Sequence, residues 1–286
     1  MASQVLGEPE PDFVPLAYFG EFGLDDSPLF ESTLESVASQ ISLGDTNSAV
    51  PGHLLGRVEA YLEAGASEYV LETIRYGYKL IFKHAPPPRD FRPNNKSALS
   101  NPDFLYSELL RLEQLGCTVR VATRPHIVNP TSVVYSKKWR CVLDASICLN
   151  KYCLKRKTKL SDLSSVPLLL RQGDYMTVND LDSGYWQVPI FPPHQTYLGL
   201  AFEHEDGSYA YWVWVVMPLG IIDAAHIFTA LTDPLMSHLA LHNAHSQIYI
   251  DDLLSLCESF EQGILQDKLI QEFFLKGGWF SNPQSK

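Results

Sequence analysis

Residues 247–257, "QIYIDDLLSLC", set two apolar runs of β-strand character on either side of the adjacent acids Asp251 and Asp252. Such runs meeting at polar residues predict an antiparallel hairpin with both carboxylates at its tip. A lone Asp-Asp can be a solvated turn. Between apolar runs, however, two like charges repel each other, and the arrangement is costly unless cations neutralise it. Two divalent cations about 4 Å apart would do so, and a site of that kind needs a third carboxylate from elsewhere. Asp180, closing a predicted strand at 175–181, is the natural candidate.

The stretch around Asp180, "NDLDSGYWQ" (179–187), admits a second reading. A hydrophobic residue followed by Asp182-Ser183-Gly184 is the pattern of an aspartic protease half-site, where two carboxylates share a proton. The sequence holds one Asp-Ser-Gly, followed by the bulky pair Tyr185-Trp186, and a protease needs a second half-site and a flap. The protease reading therefore ranks behind the metal reading, with Asp182 expected as an exposed polar neighbour.

Composition bounds the alternatives. The 286 residues are 45% hydrophobic and 12% aromatic, enough for a sizeable core in one or two domains. No apolar run approaches the roughly 20 residues of a membrane span, and the acidic, Pro-containing start does not read as a signal peptide, so an intracellular protein is expected, cytoplasmic or nuclear. Five cysteines without Cys-x-x-Cys spacing suggest reduced thiols. The net charge of −11 argues against a nucleic-acid partner until it is mapped. Residues 1–70 hold 12 acids and 1 base, 71–171 hold 7 acids and 18 bases, and 172–286 hold 14 acids and 3 bases. A basic block between acidic ones fits a polyanion held by one lobe and cations held by another.

Along the chain, residues 1–52 are expected to be an acidic flexible tail. Residues 53–115 form a helical preface: helical spacing runs from Leu54 to Phe82 with a break at Gly65, "HAPPPRDFRPNN" (84–95) is an extended connector, and a second helix spans about 101–115. Residues 116–175 are β-rich with a basic link, and 176–286 alternate strands with helices, including a helix opened by Asp223. This order predicts an α+β fold, with an antiparallel sheet of split βαβ type carrying helices on one face.

"VNDLDSGYWQVPI", "MPLGIIDAAHIFTAL" and "YIDD", in that order, closely resemble the palm of retroelement reverse transcriptases, and "KKWRCVLDASICLN" (137–150) resembles their fingers. "YLGLAFEHEDGSYAYWVW" and the preface look more like tyrosine-recombinase (DIRS-like) retrotransposons than retroviruses. The resemblance covers about 54–286. It implies an RNA-directed DNA polymerase with palm and fingers, two Mg²⁺ ions (Mn²⁺ as the alternative), an RNA or DNA template-primer and deoxynucleoside triphosphates. Asp180 and Asp251 resemble its main metal ligands, and Asp252 the third carboxylate. Tyr185 resembles the aromatic that disfavours a ribose 2′-hydroxyl. Lys138 and Arg140 resemble the cations that hold the triphosphate, and Leu219-Gly220 the loop that faces the nascent base pair. Departures are Leu219 in place of Phe, Asp223-Ala224-Ala225 in place of Asn-Ala-Pro, Ser146 in place of Arg, and one extra residue between Asp144 and Asn150. "LKGGWFSNPQSK" resembles the following palm segment, with Lys286 or a missing neighbour as its general acid. No thumb or ribonuclease H pattern is read after this segment, so a truncated element is expected, with a partner chain as one source of the missing parts. A catalytically silent remnant that binds nucleic acid is the alternative.

Two further signals are weaker. His238, His242 and His245 share a helical face but lack a completing carboxylate or cysteine, so they read as solvated. "KRK" (155–157) suits a nuclear import signal, a phosphate-facing surface or a solvated turn equally.

Overall fold

The structure is a computed structural model describing residues 51–158, 170–241 and 246–281. The expected tail, apart from Pro51 and Gly52, and the centre of the basic link lie outside the described residues. The fold is α+β. Helices α1 (Val58–Glu63) and α2 (Glu68–Tyr76) form the predicted first helical stretch with its break at Gly65. The helix does not continue to Phe82: α2 ends before Gly77, and Tyr78 instead forms a parallel bridge with Ile190. The proline-rich connector is extended and contributes β1 (Asp90–Phe91). A short helix, α3 (Lys96–Leu99), precedes α4 (Pro102–Gln114). In α4, Pro102 and Asp103 open the first turn, Arg111 lies in the last turn, and Leu105, Leu109 and Leu112 form the buried stripe.

Strands β2 (Thr118–Val121), β3 (Ile127–Val128), β4 (Thr131–Tyr135), β5 (Trp139–Leu143) and β6 (Tyr175–Asp180) follow. After two 3₁₀ turns come β7 (Gly199–Glu203) and β8 (Tyr209–Trp214), then α5 (Ala224–Leu241), β9 (Ser246–Tyr249), β10 (Asp252–Cys257) and α6 (Phe260–Lys276). They build three sheets: five strands in the order β1-β3-β7-β8-β2, three in the order β6-β10-β9, and the hairpin β4-β5. The three-stranded sheet is antiparallel, as expected. The five-stranded sheet departs from the expectation, because β3 pairs in parallel with both β1 and β7. Strands β7 and β8 thus join β2 and β3 from the preceding segment, although they lie within the stretch 176–286 read as one region.

Helix α6 lies against β6 and β10, and α5 against β9. Leu253, Ser255 and Cys257 alternate inward along β10, leaving Asp252, Leu254 and Leu256 on the other face. On β6, Asn179 faces α6, where it donates to Asp267, so its neighbour Asp180 stands on the open face. Helix α6 starts where the Ser259 hydroxyl accepts from Gln262 N at 3.1 Å, and buries Ile270, Phe273 and Phe274. All five cysteines are free, and burial raises the Cys117, Cys141 and Cys153 thiols to about 12, which suits packing rather than nucleophilic chemistry.

His194 ties the segment after α2 to this framework. Its Nδ1 accepts from Leu80 N at 2.9 Å, and its ring packs beside Phe82, Phe191 and Tyr197. Burial, with a smaller push from Lys79, lowers its pKa from 6.5 to about 4. Between those values the unfolded chain binds the proton more tightly, so stability falls as the pH falls. Urea unfolding should lose about 2 kcal/mol between pH 7.5 and 5 from this group. His194→Asn, whose side-chain oxygen can replace Nδ1 as acceptor, should flatten that part of the profile.

Candidate active site

Hairpin β9–β10 turns through Ile250 and Asp251, pairing Tyr249 with Asp252. Ile250 has φ 58°, an unfavourable conformation for a β-branched side chain that fixes the tight turn. Across the next ladder, Asp252 stands opposite Asp180, and Leu181 N donates to Asp251 O at 2.9 Å. The three aspartates predicted from sequence are therefore gathered at one end of one small sheet. Asp180 is held above the ordinary carboxylate range by partial burial first, then by the charges of Asp251, Asp252 and Asp182.

Among the described residues no three His, Cys, Asp or Glu side chains form a ready-made ion cage. Mg²⁺ does not require one, since it is commonly held by one or two carboxylates with water and substrate phosphate oxygens completing the shell. The donors here are hard oxygens that repel one another, and this chemistry fits such an ion.

Asp180 leads into a turn with Ser183 at φ 50° and a 3₁₀ turn at Gly184–Gln187. A Cβ on Gly184 would lie 2.7 Å from the Phe228 ring, so packing against α5 explains the glycine. Tyr185 also rests on Phe228, with ring centroids 5.1 Å apart. Its hydroxyl pKa is raised by partial burial first, then by the charges of Asp251 and Tyr249. Asp182 is half-buried rather than exposed: its N donates to Phe280 O at 2.8 Å, and its carboxylate accepts from the Ser183 hydroxyl.

The remaining predicted residues lie apart from the carboxylates' sheet. Lys138 and Arg140 are exposed on the β4–β5 hairpin, Lys138 in its turn and Arg140 opposite Val134. Leu219 is exposed. Gly220 has φ 114°, and a Cβ there would lie 2.2 Å from Leu143 O, so its backbone closes onto the end of β5. Asn150 clamps the same loop, donating to Gly220 O at 2.8 Å and accepting from Ile222 N at 3.0 Å. Ser146 donates to Asp144, so the residue found where Arg was expected caps a local turn.

Sequence reasoning missed the role of Asp223. It is buried and forms an ion pair with Arg156 at 2.6 Å, while Arg156 also donates to the Tyr69 hydroxyl at 2.6 Å. Arg156 is thus neither part of a solvated turn nor free for phosphate. The signal was present: an acid where Asn is usual, opening a largely apolar helix, calls for a cation, and the run 155–157 supplies one. His238 is likewise not solvated, since its ring stacks on Phe273 with centroids 4.3 Å apart. His242, His245 and Lys286 lie outside the described residues, and Lys276 pairs with Glu63.

The model of the family described as reverse transcriptase (RNA-dependent DNA polymerase) matches residues 131–281, just over half of the chain, from the start of β4 to beyond α6. The chain belongs to the reverse transcriptase family. Its fold around the carboxylates is the polymerase palm, its activity class is RNA-directed DNA polymerase, and its substrates are a template-primer and deoxynucleoside triphosphates. A comparison with curated proteins returns no match. No helix among the described residues is long and apolar enough to cross a membrane.

In this reverse transcriptase Asp223→Asn strands a guanidinium whose side chain is 20% exposed. Urea denaturation should show a loss of about 3 kcal/mol. Adding Arg156→Met should recover part of it, and strict additivity in the double-mutant cycle would show that the two residues are not coupled.

Proposed function

We propose that this chain copies a template into DNA by two-metal nucleotidyl transfer at Asp180, Asp251 and Asp252, as the polymerase of a tyrosine-recombinase-type retrotransposon. The observation that carries the chemistry is the pairing of Asp252 with Asp180 beside the Asp251 turn, on the sheet face that α5 and α6 leave open. Stretches 197–214 and 54–115 support the retrotransposon class through their resemblance to that group.

On this reading Asp180 and Asp251 hold the ions, with Asp252 beside them. When bound, Mg²⁺ supplies the charge that makes the primer 3′-hydroxyl nucleophilic and neutralises the departing pyrophosphate. The carboxylates position the reacting oxygens and do no covalent chemistry. Tyr185, braced by Phe228, presents a ring edge where a 2′-hydroxyl would stand. Arg140 and Lys138 meet the triphosphate from the β4–β5 hairpin, which serves as fingers, and the loop at Leu219-Gly220 borders the base pair. The basic block 71–171 draws in the template-primer.

Extension of a labelled DNA primer on poly(rA) with Mg²⁺ and dNTPs tests this. Wild type should extend, and Asp251→Asn/Asp252→Asn should reduce the rate by at least about 100-fold, the loss of several kcal/mol of charge stabilisation. Extension that survives the double substitution overturns the assignment. A folded wild type that binds template-primer without extending it would support the silent remnant instead.

A further inference from the structure

Gln187 is 1% exposed and lies seven residues after Asp180, at the far end of the turn that carries Tyr185. Its side-chain amide makes two opposed hydrogen bonds. Nε2 donates to Asp182 O, and Oε1 accepts from Phe280 N at 3.0 Å. The ring closes because Asp182 N donates to Phe280 O at 2.8 Å. A side chain has entered the backbone ladder between two segments about 100 residues apart in sequence. A primary amide donates on one side and accepts on the other; an ionised carboxylate lacks the donor, and a thioether lacks the donor and is only a weak acceptor.

What the ring fixes is the path from Asp180 to Val188. Leu181 is pinned at both ends, donating to Asp251 O at 2.9 Å and bridging to Ser281. The segment 276–281 is in turn anchored by Trp279, which is buried, packs edge-on to Phe228 at 4.9 Å, and donates to the Tyr61 hydroxyl at 2.9 Å. Phe228 is also the ring beneath Gly184 and Tyr185. From the other side, Leu54 N donates to Gln187 O at 3.2 Å and Gly52 N to Trp186 O at 2.8 Å. The Gln187 amide ties the 276–281 strap directly to the backbone of the turn.

We infer that Gln187 is a positioning residue for nucleotide incorporation: by locking the 180–187 turn to the 276–281 strap it fixes Asp180 and Tyr185 relative to each other. It touches no reacting atom, so its influence passes through the turn. The inference rests on the polymerase reading above and adds a residue to it. Its consequence is a joint one. Loosening the turn should impair the carboxylate and the sugar-discriminating tyrosine together, while template-primer binding, which lies elsewhere, is unchanged.

The test compares wild type with Gln187→Glu, which keeps the acceptor for Phe280 N and loses the donor to Asp182 O, and with Gln187→Met, which keeps only the shape. Single-nucleotide incorporation is measured with dTTP and UTP on poly(rA)/oligo(dT), alongside template-primer Kd and melting temperature. The expected result is a 10- to 100-fold fall in kcat for dTTP, a several-fold rise in the UTP-to-dTTP ratio of kcat/KM, and an unchanged Kd for template-primer. A variant that loses activity only in proportion to its unfolded fraction, with the sugar ratio of wild type, overturns the positioning role and leaves Gln187 as a stabilising residue. Hydrogen exchange supplies a readout independent of activity. Peptides spanning 180–187 and 277–281 should lose protection in Gln187→Glu while α4 keeps it, and unchanged protection in both overturns the inference. If wild type fails to extend a primer, the polymerase reading falls, while the exchange result still decides whether the ring holds the turn.

Discussion

Three carboxylates share one end of a three-stranded sheet, and their mutual repulsion is the constraint around which the rest is organised. Antiparallel register sets Asp252 opposite Asp180, and the Ile250-Asp251 turn brings the third acid alongside. Left to themselves these groups would separate, and Asp180 is pushed toward holding a proton by partial burial first and then by its neighbours' charges. They stay together because the backbone around them is held from several sides. The left-handed conformation of Ile250 is one cost of this arrangement, and structures tolerate such strain where the surroundings over-determine it.

That over-determination comes from parts of the chain remote in sequence. Behind the sheet, Asn179 and Gln271 both meet Asp267, which ties β6 to α6 on the face opposite the carboxylates. Beside it, Gln187, Phe280 and Trp279 bind the turn after Asp180 to the strap after α6 and to α1. Across the base of α5, Arg156 links Asp223 to Tyr69 of α2. The helical preface is thereby bonded to the palm and packed into its core. This accounts for its burying Leu54, Tyr61, Ile74 and Tyr78 in the same core as Phe228 and Trp279.

Two departures from the family pattern acquire a physical meaning in this setting. Asp223 is compatible with a buried position because Arg156 meets it, and Ser146, with Asn95, hydrogen-bonds Asp144 locally. Gly220, read from sequence as giving access to a base pair, is in any case required by the closeness of Leu143 O. A packing explanation for a glycine and a functional one are not exclusive, but the packing one operates in the absence of substrate.

The sequence by itself determined the local elements and picked out the three acids that the sheet brings together. Alternating apolar residues around Asp251-Asp252 define a hairpin, 3.6-residue spacing defines α4, and proline forbids a helix at 84–95; these depend on neighbours a few residues away. It also ordered the segments that match the reverse transcriptase family. Only the tertiary structure decided that β3 runs parallel to β1 and β7, that α2 stops short so that Tyr78 can pair with Ile190, that Arg156 is spent on Asp223, and that Gln187 closes a ring with Phe280. Each of these is a contact between residues tens to hundreds of positions apart. Periodicity and propensity carry no information about such pairings, which are selected by the shape of the shared core and by the need to satisfy every buried polar group at once.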